Sequence, residues 1–147
     1  MIAGQHAGYV LDASVLVKWF FDQRERDRDR ALALRDLHVA HRSTVFVPQI
    51  TILEILNAIR FNPKADEEDG QAALEALYDL HLETKVTDRD LLRKTNAIAW
   101  AYKITIDEAL YVAVAEQLGY PLITADPAMV KKLKGHSIVV PLWEVEI

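Results

Sequence analysis

The chain has 147 residues, 51% hydrophobic and 27% charged, with 22 acidic against 17 basic side chains for a net charge of −5, and no cysteine. That is one domain's worth of core and too apolar for a disordered chain; the missing cysteines exclude disulfides, zinc–thiolate sites and cysteine nucleophiles. The acidic balance argues against a protein that grips nucleic acid by bulk charge, though not against an enzyme that meets phosphates through metal ions and a few lysines.

Residues 1–147 are expected to form a single domain, with residues 1–7 as a flexible tail that lacks the basic and apolar blocks of a signal peptide. No apolar run is long enough to span a bilayer, so a cytoplasmic location without membrane contact is expected. A strand at Tyr9–Asp12 leads into a short helix through Val15–Phe21. The mixed-charge run Arg24–Arg30 marks a solvated turn and the start of a helix that continues through Ala31–His38. A strand at Thr44–Val47 is stopped by Pro48, and a helix follows from Gln49 to Arg60, ending before Asn62-Pro63. Ala65–Leu80 reads as a second long helix, apolar at Ala73, Leu74, Leu77 and Leu80. A brief strand is placed at Thr84–Val86. Thr87 then serves as N-cap, with Asp90 three residues on, for a helix to Tyr102. Asp107–Leu118 is a helix ended by Gly119; Leu122–Thr124 is a strand; Pro127–Leu133 is a short helix before Gly135; Ser137–Val140 is the last strand. Strands alternating with helical patterns predict an α/β protein, a three-layer α/β/α sandwich around a parallel sheet of about five short strands.

Two of those strands end in an acid, Asp12 and Asp126, and in an open parallel sheet ligands bind outside the carboxyl ends of the strands. Asp12 fits an N-cap, a role compatible with ligation because one carboxylate oxygen stays available. Asp126-Pro127 is likewise a simple helix start. Glu54 lies in a helix with apolar residues on nearly every side, where a carboxylate is costly unless paired or bound to a cation; Asn57, one turn on, is placed to orient it. Asp107 and Glu108 open a helix, and Thr105 with Glu108 fits a capping box. Each acid has a structural reading of its own, but four independent caps have no reason to share one sheet edge. Carboxylates brought together repel, and a hard cation such as Mg²⁺ relieves them.

Other chemistry finds little support. His6, His38, His41, His81 and His136 show no metal-ligand spacing, and the scattered glycines form no phosphate loop. Trp19, Trp100 and Trp143 read as core or rim packing. Lys18, Lys131 and Lys132 follow Asp12 and Asp126 in sequence and are the expected phosphate guides if the edge handles nucleic acid.

The stretch Val10-Leu11-Asp12-Ala13-Ser14-Val15-Leu16-Val17-Lys18-Trp19-Phe20 resembles the opening of PIN-domain proteins, the VapC-like toxins in particular. Val47-Pro48 leading to Glu54 and Asn57, the run from Asp107 to Ala115, and Leu122-Ile123-Thr124-Ala125-Asp126 resemble the later motifs of that family in order and spacing. The resemblance implies a PIN fold and a metal-dependent endoribonuclease, the toxin half of a toxin–antitoxin pair. The family's acids fall on Asp12, Glu54 and Asp126. The third position departs, because the slot before Ala109 holds Glu108 and Asp107 stands one place earlier.

On that reading Asp12, Glu54, Glu108 (or Asp107) and Asp126 hold one or two Mg²⁺ or Mn²⁺ ions that activate water against a phosphodiester. Ser14, Asn57 and Thr124 orient the acids. Single-stranded or looped RNA is the expected substrate. The apolar helix stretches Ile50–Ile59 and Leu74–Leu80 suggest a homodimer, and a toxin-type relative would also bind a small antitoxin. The rival readings are a PIN-like partner-binding module that has lost catalysis and a small phosphatase. The phosphatase expects a second acid two residues after its nucleophile, where this chain has Ser14.

Overall fold

The computed structural model describes residues 1–21 and 25–147. Arg24, the first residue of the mixed-charge run, lies outside the described residues. The sheet is parallel throughout, with strands β1 (Gly8–Leu11), β2 (Thr44–Pro48), β3 (Glu83–Lys85), β4 (Leu122–Thr124) and β5 (Val139–Pro141) in the order β3-β2-β1-β4-β5. The α/β/α class and all five strands agree with the sequence reading. β1 is the central strand, fully buried over its length, as its unbroken apolar run requires when helices cover both faces.

The strand order carries the functional consequence. From β1 the chain steps outward through β2 to β3, then returns to the other side of β1 for β4 and β5. The order therefore reverses between β1 and β4, and the crevice beyond their carboxyl ends is where an open α/β sheet binds ligands. Val10 pairs with Leu122 and Leu11 with Ile123, which brings Asp12 and Thr124 to that same edge.

The helices are α1 (Ala13–Leu16), followed by a 3₁₀ turn at Val17–Trp19, then α2 (Arg28–Val39), α3 (Ile50–Arg60), α4 (Glu67–Asp79), α5 (Arg89–Tyr102), α6 (Ile106–Leu118) and α7 (Pro127–Lys132). α6 is buried without interruption from Ala109 to Ala115, which explains an apolar run with no polar stripe. Gly119, in the left-handed region at φ 72°, ends it. Gly8 is obligatory for packing: a Cβ there would stand 2.7 Å from the Tyr120 ring and 2.9 Å from that of Phe46, two rings that stack on each other.

Several expectations shift. α5 is capped by Asp88, which accepts from Leu91 N at 2.8 Å, and not by Thr87; the aspartate beside it offers the stronger cap acceptor. The segment expected as a tail is tied down by a parallel bridge between Ile2 and Glu146, with Ala3 N donating to Glu146 O at 2.7 Å. α3 is not buried on every side: Thr51, Ile55 and Ile59 form its buried stripe, while Leu53 is 67% exposed. Of the tryptophans, Trp19 is core, with Nε1 donating to Ala31 O at 2.8 Å, whereas Trp100 is 80% exposed. Among the described residues no helix is long and apolar enough to cross a membrane.

Candidate active site

Asp12 occupies the N-cap position of α1, yet its side chain makes no cap hydrogen bond. Its carboxylate is instead held from the side. Ser14 Oγ donates to Asp12 Oδ2 at 2.6 Å and Thr124 Oγ1 donates to the same oxygen at 2.9 Å. The two hydroxyls are themselves fixed by the backbone of the β4–α7 turn, because Ala125 N donates to Ser14 Oγ and Asp126 N to Thr124 Oγ1. Both donors address one oxygen; neither uses Oδ1. The expected orienting roles of Ser14 and Thr124 therefore have a geometric counterpart.

Asp12 is buried, and that desolvation pushes its carboxyl above the ordinary carboxylate range. The hydrogen bonds from Ser14 and Thr124 oppose the rise, while the negative charge of Asp126 adds to it. Asp126 is half-buried and caps α7 through Ala128 N at 2.9 Å, with Pro127 at the first helical position. Glu54 is half-buried and also raised, by desolvation first and then by the charges of Asp12 and Asp107. Asp12 thus has the charge of Asp126 against it, and Glu54 has those of Asp12 and Asp107, which links acids from β1, β4, α3 and α6 in pairs.

The partner of Glu54 is not the one expected. Asn57 is exposed, and among the described residues no hydrogen bond joins it to Glu54. The carboxylate is held instead by Tyr111, whose hydroxyl donates to Oε1 at 2.7 Å, and Thr51 Oγ1 stands 2.8 Å from that same hydroxyl. Tyr111 and Thr51 were missed in the sequence. The available signal is that a tyrosine inside an all-apolar helix turn needs a polar partner when buried.

Asp107 and Glu108 part ways. Glu108 Oε1 accepts from Thr105 N while Thr105 Oγ1 accepts from Glu108 N, both at 3.1 Å, closing the capping box. Its carboxylate is directed back to the helix start. Asp107, exposed in the first turn, is the one whose charge reaches Glu54. Lys18 departs from its expected role as a phosphate guide: it is 8% exposed and its Nζ pairs with Glu25 at 2.9 Å. Lys131 and Lys132 remain exposed at the end of α7.

Among the described residues no lysine, arginine or histidine forms an ion pair with Asp12, Glu54, Asp107 or Asp126. Nor, among the described residues, do three such side chains close into a metal-ligand shell. The donor set is nonetheless the one Mg²⁺ or Mn²⁺ takes, hard carboxylate oxygens with unneutralised charge. A cavity of about 880 Å³ opens around His38, His41 and His81 and the first residues of β2 and β3, the edge opposite the acids.

The PIN domain family profile matches residues 9–134. Solved structures agree at the level of the fold. A toxin–antitoxin complex from Klebsiella pneumoniae superposes with a TM-score of 0.69 at 21% identity, over 95% of this chain and 99% of that one. VapBC-5 from Mycobacterium tuberculosis, of the VapBC family of toxin–antitoxin systems, gives 0.59 at 24% identity over 97% and 100%. VapC20 from the same organism, described as a sarcin–ricin loop cleaving toxin, gives 0.62 at 13% identity over 84% and 93%. No match was found among curated proteins.

Proposed function

The chain belongs to the PIN domain family, and from that premise we propose that it is a Mg²⁺- or Mn²⁺-dependent endoribonuclease, the toxin of a toxin–antitoxin pair. One observation carries the reading. Asp12 is a buried carboxylate at the switch point of the sheet, set beside further acids with no cation paired to any of them among the described residues. Such an arrangement disfavours folding on electrostatic grounds and is tolerable as a site for a divalent cation. The toxin–antitoxin chains that share the fold support the same direction.

Asp12, Asp126, Glu54 and Asp107 would hold the cation, with Glu108 engaged in the capping box. A divalent ion there supplies a water acidic enough to attack near neutral pH and positive charge for the developing negative charge of the phosphate. The protein's own part is geometric. Ser14 and Thr124 keep one oxygen of Asp12 fixed. Lys131 and Lys132, exposed beyond Asp126 on α7, would attract backbone phosphates of the RNA. Without a cation the same edge repels RNA, so metal dependence extends to binding as well as to bond cleavage.

A cytoplasmic homodimer is part of the proposal: exposed Leu53, Phe61 and Trp100 offer apolar surface for a second copy, and a small antitoxin would cover the acid edge. The capping-box engagement of Glu108 favours one alternative, a PIN protein without catalysis that serves as a binding module. Incubation with labelled single-stranded RNA separates the two. Cleavage in Mn²⁺ that stops with EDTA and with Asp12→Asn supports the nuclease; equal stability of the RNA under all conditions supports the binding module.

A further inference from the structure

We infer that Tyr111 is a positioning residue for Glu54, the centre of a hydroxyl relay from Thr51 through Tyr111 that holds the carboxylate ready for a divalent cation. The inference rests on the metal-site reading above and adds residues outside the acid set. Tyr111 Oη donates to Glu54 Oε1 at 2.7 Å, and Thr51 Oγ1 lies 2.8 Å from Tyr111 Oη. A phenol has one proton to give. Because that proton is committed to Glu54, the proton in the other bond comes from Thr51, and donation runs in one direction, Thr51 to Tyr111 to Glu54.

The spacing makes the relay specific. Thr51 and Glu54 are three residues apart and share a face of α3, and Tyr111 reaches both from α6. Tyr111 is 1% exposed and Thr51 fully buried, so little water competes for either hydroxyl. The neighbours of Tyr111 on α6, Leu110 and Val112 among them, are apolar, so packing alone is served equally by phenylalanine; the hydroxyl there costs free energy unless it is bonded. Asp107 lies four residues before Tyr111 on the same helix, and its charge opposes that of Glu54. α6 thus presents Glu54 with one group that repels it and one that holds it. Removing the hydroxyl leaves a half-buried, flexible carboxylate among like charges with nothing to keep it at the edge.

The test is titration of the full chain with Mn²⁺ alone, followed by calorimetry, for the wild type, Tyr111→Phe, Thr51→Val and Thr51→Ser. Tyr111→Phe is expected to weaken Mn²⁺ binding about 10- to 100-fold, the usual effect of removing a group that orients a ligand, while its metal-free melting temperature stays near that of the wild type. Thr51→Val shifts the affinity in the same direction by less, and Thr51→Ser, which keeps the hydroxyl, restores it. On RNA, Tyr111→Phe lowers kcat with KM little changed. Wild-type affinity in Tyr111→Phe overturns the relay and leaves the metal reading standing, and absence of Mn²⁺ binding by the wild type overturns both. Should Tyr111→Phe fail to fold, the Thr51 pair decides: Thr51→Ser as weak as Thr51→Val assigns the loss to packing and overturns the relay.

Discussion

Thr124 Oγ1 lies 2.9 Å from Asp12 Oδ2, so the last residue of β4 holds the acid that follows β1. The bond spans the point where the strand order reverses, and it makes the candidate site a property of the sheet rather than of any one loop. It also offsets part of the cost of burying a carboxylate at that point.

Thr124→Val keeps the shape and removes that donor. Of the two hydroxyls Asp12 then retains only that of Ser14, its carboxyl rises further, and Mn²⁺ affinity is expected to fall about 10- to 100-fold. Calorimetric titration with Mn²⁺ checks it; an unchanged affinity would show the hydroxyl to be purely structural.

Metal-free stability depends on pH with a definite sign. Asp12 and Glu54 both have folded values above their ordinary 3.8 and 4.5, so between the unfolded and folded values the native state holds protons that the unfolded state has lost. Their contribution is therefore most favourable below the ordinary values and is lost as pH climbs through the raised folded ones. Asp12→Asn removes one of these costs. In EDTA its melting temperature is expected to exceed that of the wild type by a margin that widens as pH rises through this window, each kcal/mol amounting to roughly 2–4 °C at this size. Taking the difference between the two proteins isolates Asp12 together with its repulsion toward Glu54 and Asp126, and cancels the carboxylates remote from it. A margin constant with pH would contradict the burial argument.

Asp107 and Glu108 are separable by conservative changes. Glutamine serves a capping box as well as glutamate, so Glu108→Gln is expected to leave both melting temperature and Mn²⁺ affinity near wild type. Asp107→Asn is expected to lower Mn²⁺ affinity at least about tenfold. The reverse result would place Glu108, not Asp107, at the ion.

Lys131 and Lys132 are tested by charge reversal. Replacing both with glutamate is expected to raise KM for single-stranded RNA, leave the melting temperature unchanged, and reduce the slope of log K against log salt by roughly 0.7 for each lost phosphate contact. An unaltered slope would remove them from the RNA path.

Much of this was legible in the sequence because the signals were local. The apolar runs ending at Asp12 and Asp126 gave the strands and their edge, and Thr105 with Glu108 gave the capping box that the structure closes. What failed depended on tertiary neighbours. Lys18 follows Asp12 closely and reads as an ordinary surface residue, but Glu25, seven residues on, takes its charge. Asn57 shares a helix face with Glu54, yet the partner comes from α6, 57 residues away in sequence. Helical periodicity also overstated the burial of α3, since an apolar residue such as Leu53 reads alike whether it faces a core or solvent.

The most direct measurement is the anomalous map of a crystal soaked in Mn²⁺. The expected result is a peak at the carboxyl edge of β1 and β4, bounded by the carboxylates of Asp12, Asp126 and Glu54, and absent from Asp12→Asn crystals soaked alike. A map at saturating Mn²⁺ with no peak there, or with the Asp12→Asn peak undiminished, would contradict the proposal that these remote acids share one ion.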